Sequence, residues 1–380
     1  MTTRTLPLLA VSLLVGCAEP DLADLFGQVT VSLADGEDGA SQPFVERVEQ
    51  AETSLHVALP GGDDTELAGA LVDAWDRGVE VEVITDWDLR DSAAISQLLE
   101  AEVPVRLADA GLTYFEFNLN DDVAFPSTAT VLSSAWVVAD RRTVLAASSL
   151  GAGGAGTRIV YDLQSEDLID DLLAEHNQLF GGTDATAVTA FDGPAKSITD
   201  LRWLYGTAAP VDLEMWFGPQ ERLTKRVIDA VYTARTSVRV LTNDLANEGL
   251  AKALQDKATR GFDVTVVVGP QFGESNSFLS RIFEDTPDVE KRRFTDADVV
   301  PTIVVIDWEA QESGLRARTQ VMVLTHDLYS AARLYRGEPV VSDQLIDGVM
   351  WTLSSSNEPD DTMQVVYGAW QDHFDRSEAF

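Results

Sequence analysis

Apolar positions along this chain follow two alternating spacings, and the alternation occurs twice. Leu55–Leu59 reads as a short buried strand. From Glu66 to Arg77 the apolar residues Leu67, Ala70, Leu71 and Ala74 fall three or four apart, the spacing of one helix face. Arg77-Gly78 then stops the helix, glycine suiting the left-handed position past a helix end, and Val79–Ile84 reads as a second strand. The same order returns at Val238–Thr242, Glu248–Arg260 and Phe262–Val268, and a short helix precedes each first strand. Ala51, Thr53, Ser54, Leu67 and Gly78 match Ala234, Thr236, Ser237, Leu250 and Gly261, every pair 183 positions apart. A gap-free offset of this length marks an internal duplication. Strand–helix–strand alternation predicts parallel strands covered by helices.

Each copy continues into β-rich segments and a final helix. In the first copy these are Thr130–Val138, Thr143–Ser148 and Arg158–Leu163, then Glu166–Phe180. In the second they are Thr302–Ile306, Gln320–Thr325 and Leu345–Leu353, then Thr362–Phe374. Gln28–Leu33 suits an edge strand of copy one, with Met215–Pro219 as its counterpart. Gly181–Ser197, rich in Gly, Thr, Ala and Asp, reads as a linker. The expected division is a leader over 1–17, a tether with the edge strand over 18–43, repeats over 44–180 and 211–380, and a linker over 181–210.

Candidate chemistry enters at Thr130–Leu150, TVLSSAWVVADRRTVLAASSL. Together with the strand entry at Ala51–Val57 and the run from Ala70 to Asp86, this segment resembles the phospholipase D superfamily over roughly residues 44–180 and 218–376. The resemblance implies an α/β fold: two phospholipase D-like repeats, each a mixed or parallel sheet flanked by helices, in a pseudo-two-fold arrangement. It also implies one phosphodiester-cleaving site built from two HxKxxxxD motifs and their following GSxN-like turns. One His would attack phosphorus and the other would protonate the leaving oxygen, while the Lys and turn residues would stabilise the phosphoryl oxygens.

Carried over residue by residue, the motif is degenerate in both copies. In the first, Asp140 keeps the acid, but Ser133 stands at the His position and Ala135 at the Lys position. In the second, Asp307 keeps the acid, with Val300 and Thr302 at those positions. Of the turns, Ser148 remains in copy one, and Thr325-His326 is the corresponding stretch in copy two. No shifted register restores the motif, because none of His56, His176, His326 and His373 is followed two residues later by Lys. Asp140 and Asp307 are expected to hold a turn at a strand end. His56 is expected on a sheet face, and His176 and His373 in solvated or capping positions.

The ends and the charge narrow the setting. Arg4, the apolar run Leu6–Val15 and Leu14-Val15-Gly16-Cys17 resemble a bacterial signal peptide with a lipobox. Cys17, the single cysteine, would be acylated and hold the chain on a bilayer. Ala18 rather than Asp follows, which favours the outer membrane or cell surface. The formal charge of −36, from 63 acids against 27 bases, opposes nucleic acid as a partner, since that affinity rests on Lys and Arg.

No cofactor or metal is expected. Asn118–Asp122 and Asp63-Asp64 lack the Gly and distal Glu of an EF-hand loop, and Gly151–Gly156 lacks the GK[ST] ending of a phosphate loop. The expectation is therefore a membrane-anchored, catalytically inactive protein that binds or scaffolds an unidentified protein or ligand in the cell envelope. The alternatives are a phosphodiester-cleaving hydrolase with altered residues (Ser133, His326 or a metal) and an acidic structural lipoprotein with no ligand groove.

Overall fold

The computed structural model describes residues 28–35, 41–60, 64–86, 89, 91–108, 131–133, 135–148, 157–180, 204–206, 211–218, 222–270, 286, 288–294, 300–308, 318–329, 346–356 and 359–379. Cys17, Asn118–Asp122 and Gly151–Gly156 lie outside them.

The first repeat runs β1 (Gln28–Asp35), α1 (Ser41–Gln50), β2 (Ser54–Leu59), α2 (Thr65–Asp76), β3 (Glu80–Asp86), α3 (Ala93–Glu100), β4 (Val105–Ala108), β5 (Val131–Leu132), β6 (Ala135–Ala139), β7 (Thr143–Ala147), β8 (Thr157–Gln164) and α4 (Glu166–Phe180). The second runs β9 (Leu204–Gly206), β10 (Asp212–Phe217), α5 (Leu223–Thr233), β11 (Ser237–Thr242), β12 (Leu245–Ala246), α6 (Glu248–Thr259), β13 (Asp263–Val268), β14 (Glu290–Arg293), β15 (Thr302–Ile306), β16 (Thr319–Leu324), β17 (Leu328–Tyr329), β18 (Ile346–Asp347), β19 (Val349–Ser355), α7 (Asp361–Arg376) and β20 (Glu378–Ala379).

The two sheets have one topology. Sheet one is ordered β1-β8-β7-β6-β2-β3-β4, and sheet two carries the equivalent series β10-β19-β16-β15-β11-β13-β14, extended by β9 at one edge and β20 at the other. In each, the strands joined through helices are parallel (β2 to β3, β11 to β13) and the later hairpin strands are antiparallel. Local chemistry ends the elements as the pattern requires. Asp64 and Asn247 cap α2 and α6 by accepting amide hydrogens of the first turn. Gly78 and Gly261, at φ of 88° and 84°, carry the chain out of those helices in the left-handed region. Arg77 and Lys257 donate to the last carbonyls of α1 and α5 respectively, favourable at the negative end of a helix.

Strand alternation splits the apolar residues among three layers. Leu55, Val57 and Leu59 of β2 face α1–α3, and Val238 and Val240 of β11 face α5 and α6. The opposite faces meet in a single core drawn from both repeats and completed by α4 and α7. Tyr161 of β8 stacks on Trp351 of β19 across this seam, with centroids 5.2 Å apart and planes 24° from parallel. Helix α7 of the second repeat also lies against the edge strand β1 of the first.

Three sequence expectations change. The apolar runs Thr130–Val138 and Leu345–Leu353 are not continuous strands: the ladders break after Leu132 and at Gly348. Leu204–Gly206, within the expected linker, pairs with β10 and joins sheet two. His176 and His373 are buried, at 0% and 3% exposure. The reason lies in helical spacing: His176 shares a face with Leu172, Leu179 and Phe180, and His373 with Ala369 and Trp370, all turned into the shared core.

Because the middle layer belongs to both repeats, the fold should lose it as a unit. Trp351→Ala is expected to cost about 3–5 kcal/mol. Urea unfolding followed by fluorescence and by far-ultraviolet circular dichroism should still show one coincident transition. Two separated transitions would show that the repeats fold independently.

Candidate functional site

The motif carboxylates anchor the turns that open the central strands. Asp140 follows β6 at φ 54° and Asp307 follows β15 at φ 58°, a left-handed position that Asp tolerates better than most residues. Asp140 Oδ1 accepts from the Thr53 amide (2.7 Å), the Thr53 hydroxyl (2.8 Å) and the Ser54 amide (3.1 Å). Asp307 Oδ1 accepts from the Thr236 amide (2.7 Å), the Thr236 hydroxyl (3.0 Å) and the Ser237 amide (3.3 Å). The Asp140 amide donates to the Ser54 carbonyl and the Asp307 amide to the Ser237 carbonyl. These bonds to the charged form, against the opposing effect of burial, hold the Asp140 carboxyl below its ordinary range. Both acids are engaged at the strand end away from the motif start.

The turn residues are equivalent in the same way. The Ser148 amide donates to the Ile159 carbonyl, and Ser148 Oγ accepts from the Ile159 amide at 3.1 Å. The Thr325 amide donates to the Val349 carbonyl, and Thr325 Oγ1 accepts from the Val349 amide at 2.9 Å. In both repeats a hydroxyl thus stands in for a backbone carbonyl where the hairpin ladder ends.

A short ladder between the repeats brings the two centres together. β5 of the first repeat pairs in parallel with β18 of the second, Leu132 opposite Asp347. This register sets Ser133 beside Gly348. Ser133 Oγ lies 3.1 Å from Thr325 Oγ1, a direct hydrogen bond between the two degenerate motifs. Gly348 is required by space. A Cβ there would lie 2.6 Å from His326 Nδ1 and 3.0 Å from Ser133 Oγ, so Ser133, Thr325 and His326 surround one point.

The other motif positions have joined the packing. Ala135 is 2% exposed and faces the helix layer of repeat one. Val300, 3% exposed, belongs to the seam, with its backbone clasped by Asn243, whose Nδ2 donates to the Val300 carbonyl at 2.9 Å. Thr302 Oγ1 lies 3.1 Å from Thr242 Oγ1 and 3.3 Å from Asp327 Oδ1. Asp327 Oδ1 also accepts from the Thr242 hydroxyl (2.9 Å) and the Asn243 amide (3.0 Å). Thr242, Asn243 and Asp327 were not singled out as a group in the sequence. Their signal is a pair of similar strand endings, Leu241-Thr242-Asn243-Asp244 and Leu324-Thr325-His326-Asp327, on the two neighbours of β15.

Burial governs the charges here. It lowers the His326 imidazole to about pKa 4, so the ring is neutral at pH 7, and it raises the Asp327 carboxyl. Neither ring nitrogen of His326 makes a hydrogen bond. A serine nucleophile needs a base within hydrogen-bonding reach and a third group to orient that base. Ser133 Oγ is bonded to Thr325 Oγ1. Among the described residues no three His, Cys, Asp or Glu side chains form a metal site.

No family model matches this sequence, and no curated protein does. Solved structures do match. Phosphatidylserine synthase of Haemophilus influenzae Rd KW20 is similar over 92% of this chain and 87% of its own, with TM-score 0.60 and 12% identity. Polyphosphate kinase from Porphyromonas gingivalis is similar over 94% of this chain, with TM-score 0.56 and 10% identity, and the chain spans 52% of that kinase. Nuc, a phospholipase D family member from Salmonella typhimurium, matches 40% of this chain and 93% of its own, with TM-score 0.30 and 18% identity. The fold, two mixed sheets flanked by helices, is shared with the phosphatidylserine synthase and the polyphosphate kinase over most of the chain. At these identities the likeness is one of fold.

The structural weight of the motif acids can be measured. Asp307 is 3% exposed, and Asp307→Ala would leave the Arg235, Thr236 and Ser237 amides without their acceptor. A loss of about 2–4 kcal/mol in urea unfolding is expected. Asp140→Ala, whose amide partners are more exposed, should cost about half as much. Equal and negligible costs would remove the anchoring role.

Proposed function

We propose that this chain is a lipid-anchored protein of the bacterial envelope that keeps the phospholipase D-like fold for binding or scaffolding and performs no phosphodiester chemistry. The observation that carries the reading is the fate of the four positions that would bear charge in the resembled motif. Ser133, Ala135, Val300 and Thr302 offer no imidazole and no ammonium. Ala135, Val300 and Thr302 are at most 3% exposed, and Thr302 is tied into a threonine–aspartate network. Losing one such group can cost several orders of magnitude in rate. Here both general acid–base groups and both fixed cations are replaced. The phosphatidylserine synthase and polyphosphate kinase share the architecture, and neither name supplies a substrate for a centre lacking these groups.

The lipid-anchor part rests on Leu14-Val15-Gly16-Cys17 and the apolar run before it. No described helix is long and apolar enough to cross a membrane; the proposed attachment is the acyl chains of Cys17. The formal charge of −36 suits a protein partner or a neutral ligand better than a phosphate-rich one. One arrangement favours the alternative of altered chemistry: Ser133 and His326 flank the same point beside Gly348.

Both parts can be tested directly. The chain beginning after Cys17 is expected to release no product from bis-p-nitrophenyl phosphate or phosphatidylglycerol vesicles, with or without Mg²⁺, Ca²⁺ or Zn²⁺. Turnover that disappears in Ser133→Ala or His326→Ala would establish the altered-enzyme reading instead. Separately, mass spectrometry of the full chain expressed in a bacterium should find a mature N-terminus at Cys17 carrying acyl groups, and Cys17→Ala should leave the membrane fraction. An unmodified N-terminus beyond Cys17 would overturn the anchor.

A further inference from the structure

Beneath sheet one, against α4, lies a polar cluster that neither the degenerate centre nor the anchor uses. His56 of β2, Glu82 of β3 and His176 of α4 meet there. Glu82 Oε2 is 3.3 Å from His176 Nε2 and 3.8 Å from His56 Nε2. The two rings meet edge to face with centroids 5.1 Å apart. His176 is fully buried, and its other side stacks on Phe180 at 5.6 Å. The Glu82 contact is close but off-axis, and neither His176 nitrogen makes a well-directed hydrogen bond.

The second repeat fills the equivalent slot with different chemistry. Arg239 stands at the position of His56 and Thr265 at that of Glu82, each 183 residues on. Arg239 lies 5.4 Å over the Trp370 ring, and Trp370 stacks on Phe374 at 5.2 Å. The outer end of the stack is alike in both halves: Arg106 sits 5.6 Å over Phe180, and Arg292 sits 4.3 Å over Phe374. Repeat two therefore holds its final helix with an arginine–aromatic stack whose members keep their charge state across acidic pH, Arg239 being paired also with the exposed Asp263 at 2.8 Å. Repeat one uses two imidazoles and one carboxylate in the same place.

We infer that the His56–Glu82–His176 cluster is an acid-sensitive latch that loosens α4 from sheet one while the corresponding packing of α7 holds. Among the described residues, the charged and titratable groups around it are these three, Arg141 from the turn after β6, whose charge acts on His56, and Arg106 from β4, which lies over the Phe180 ring. From α4 itself come Asp170, 3.9 Å from Arg141, and the buried Asp171 and Glu175, the latter accepting from Gln178. Burial lowers the His56 imidazole to about pKa 4; His176 and Arg141 push the same way, and Glu82 opposes them. Burial also lowers His176 against the pull of Glu82.

With folded values depressed, the closed latch binds fewer protons than the opened one between pH 6.5 and about 4. Opening is therefore constant above neutrality and grows as pH falls through that window, and Glu82, whose carboxyl the two imidazoles hold low against the effect of burial, carries the growth further below it. His56 alone would raise the opening equilibrium at pH 5 on the order of 30-fold over its value at pH 8. The second repeat does contain one buried imidazole in its final helix. His373 Nδ1 sits 2.8 Å from the Ala369 carbonyl, a bond that protonation of the ring leaves in place.

Hydrogen exchange of the purified chain reads the latch, once intrinsic rates are corrected for pH. Amides of α4 should lose protection at least 30-fold more than those of α7 between pH 8 and pH 5. The difference should vanish in His56→Gln/His176→Phe, whose second change keeps a ring on Phe180. Protection falling equally in both helices, or a full acid response in the double variant, would overturn the latch. Should that variant fail to fold, the wild-type imidazole resonances decide: both His56 and His176 titrating below 6.5 support the latch, and either one titrating at or above 6.5 refutes it.

Discussion

Each sheet of this protein is apolar on both faces, and that constraint organises everything else. Helices α1–α3 and α5–α6 cover the outer faces. Among the described residues the inner faces are covered by each other, α4 and α7, so the two repeats close on one core. The Tyr161–Trp351 stack joins the two repeats across that core. A short parallel ladder from β5 to β18 then sets the relative register of the halves. The meeting of Ser133 with Thr325 follows from those two features. It is a consequence of how the sheets close, and it does not depend on what the centre does.

The same logic separates the letters that persist from those that do not. Asp140 and Asp307 each gather amide hydrogens of the turn leading into the central strand, so the fold needs them whether or not a reaction occurs. Ser148 and Thr325 finish a hairpin ladder with a hydroxyl. The His and Lys positions carry no comparable duty. Replaced by Ala135, Val300 and Thr302, they add to the packing or to a buried hydrogen-bonded network. A centre can therefore lose its charged groups in both halves while the frame around it stays complete.

Much of the frame was legible because it is periodic and duplicated. The constant offset of 183 located β2, α2 and β3 and their partners β11, α6 and β13, and the Arg-Gly stops located the helix ends. What escaped was whatever depends on contacts between distant segments. The breaks at Ser133 and Gly348 fall at short polar interruptions, Ser133-Ser134 and Asp347-Gly348, inside otherwise apolar runs, and the cross-repeat ladder gives them their meaning. β4 and β14 are four residues each, with Arg106 and Arg292 in their middles, too short and too charged to stand out. β9 is a strand because β10 offers it an edge. His176 and His373 were expected at the surface on residue type, although their spacing from Leu172 and Ala369 placed them on buried faces.

The two halves have kept one backbone plan and diverged in side chains at three matched places. At the centre, Ser133 and Ala135 answer Val300 and Thr302. Under the first helix, Arg77 in one repeat does for α1 what Lys257 in the other does for α5, from different positions in the chain. Under the last helix, an imidazole–carboxylate cluster answers an arginine–aromatic stack. The first two differences leave each half equally well packed. The third sets two imidazoles and a carboxylate, whose charge depends on pH, in repeat one where repeat two has an arginine–aromatic stack. Since α4 supplies Leu168, Leu172, Leu179 and Phe180 to that core, its loosening would expose apolar surface that the second repeat also uses. Because the two repeats share this core, a titratable contact in one half acts on the seam between both.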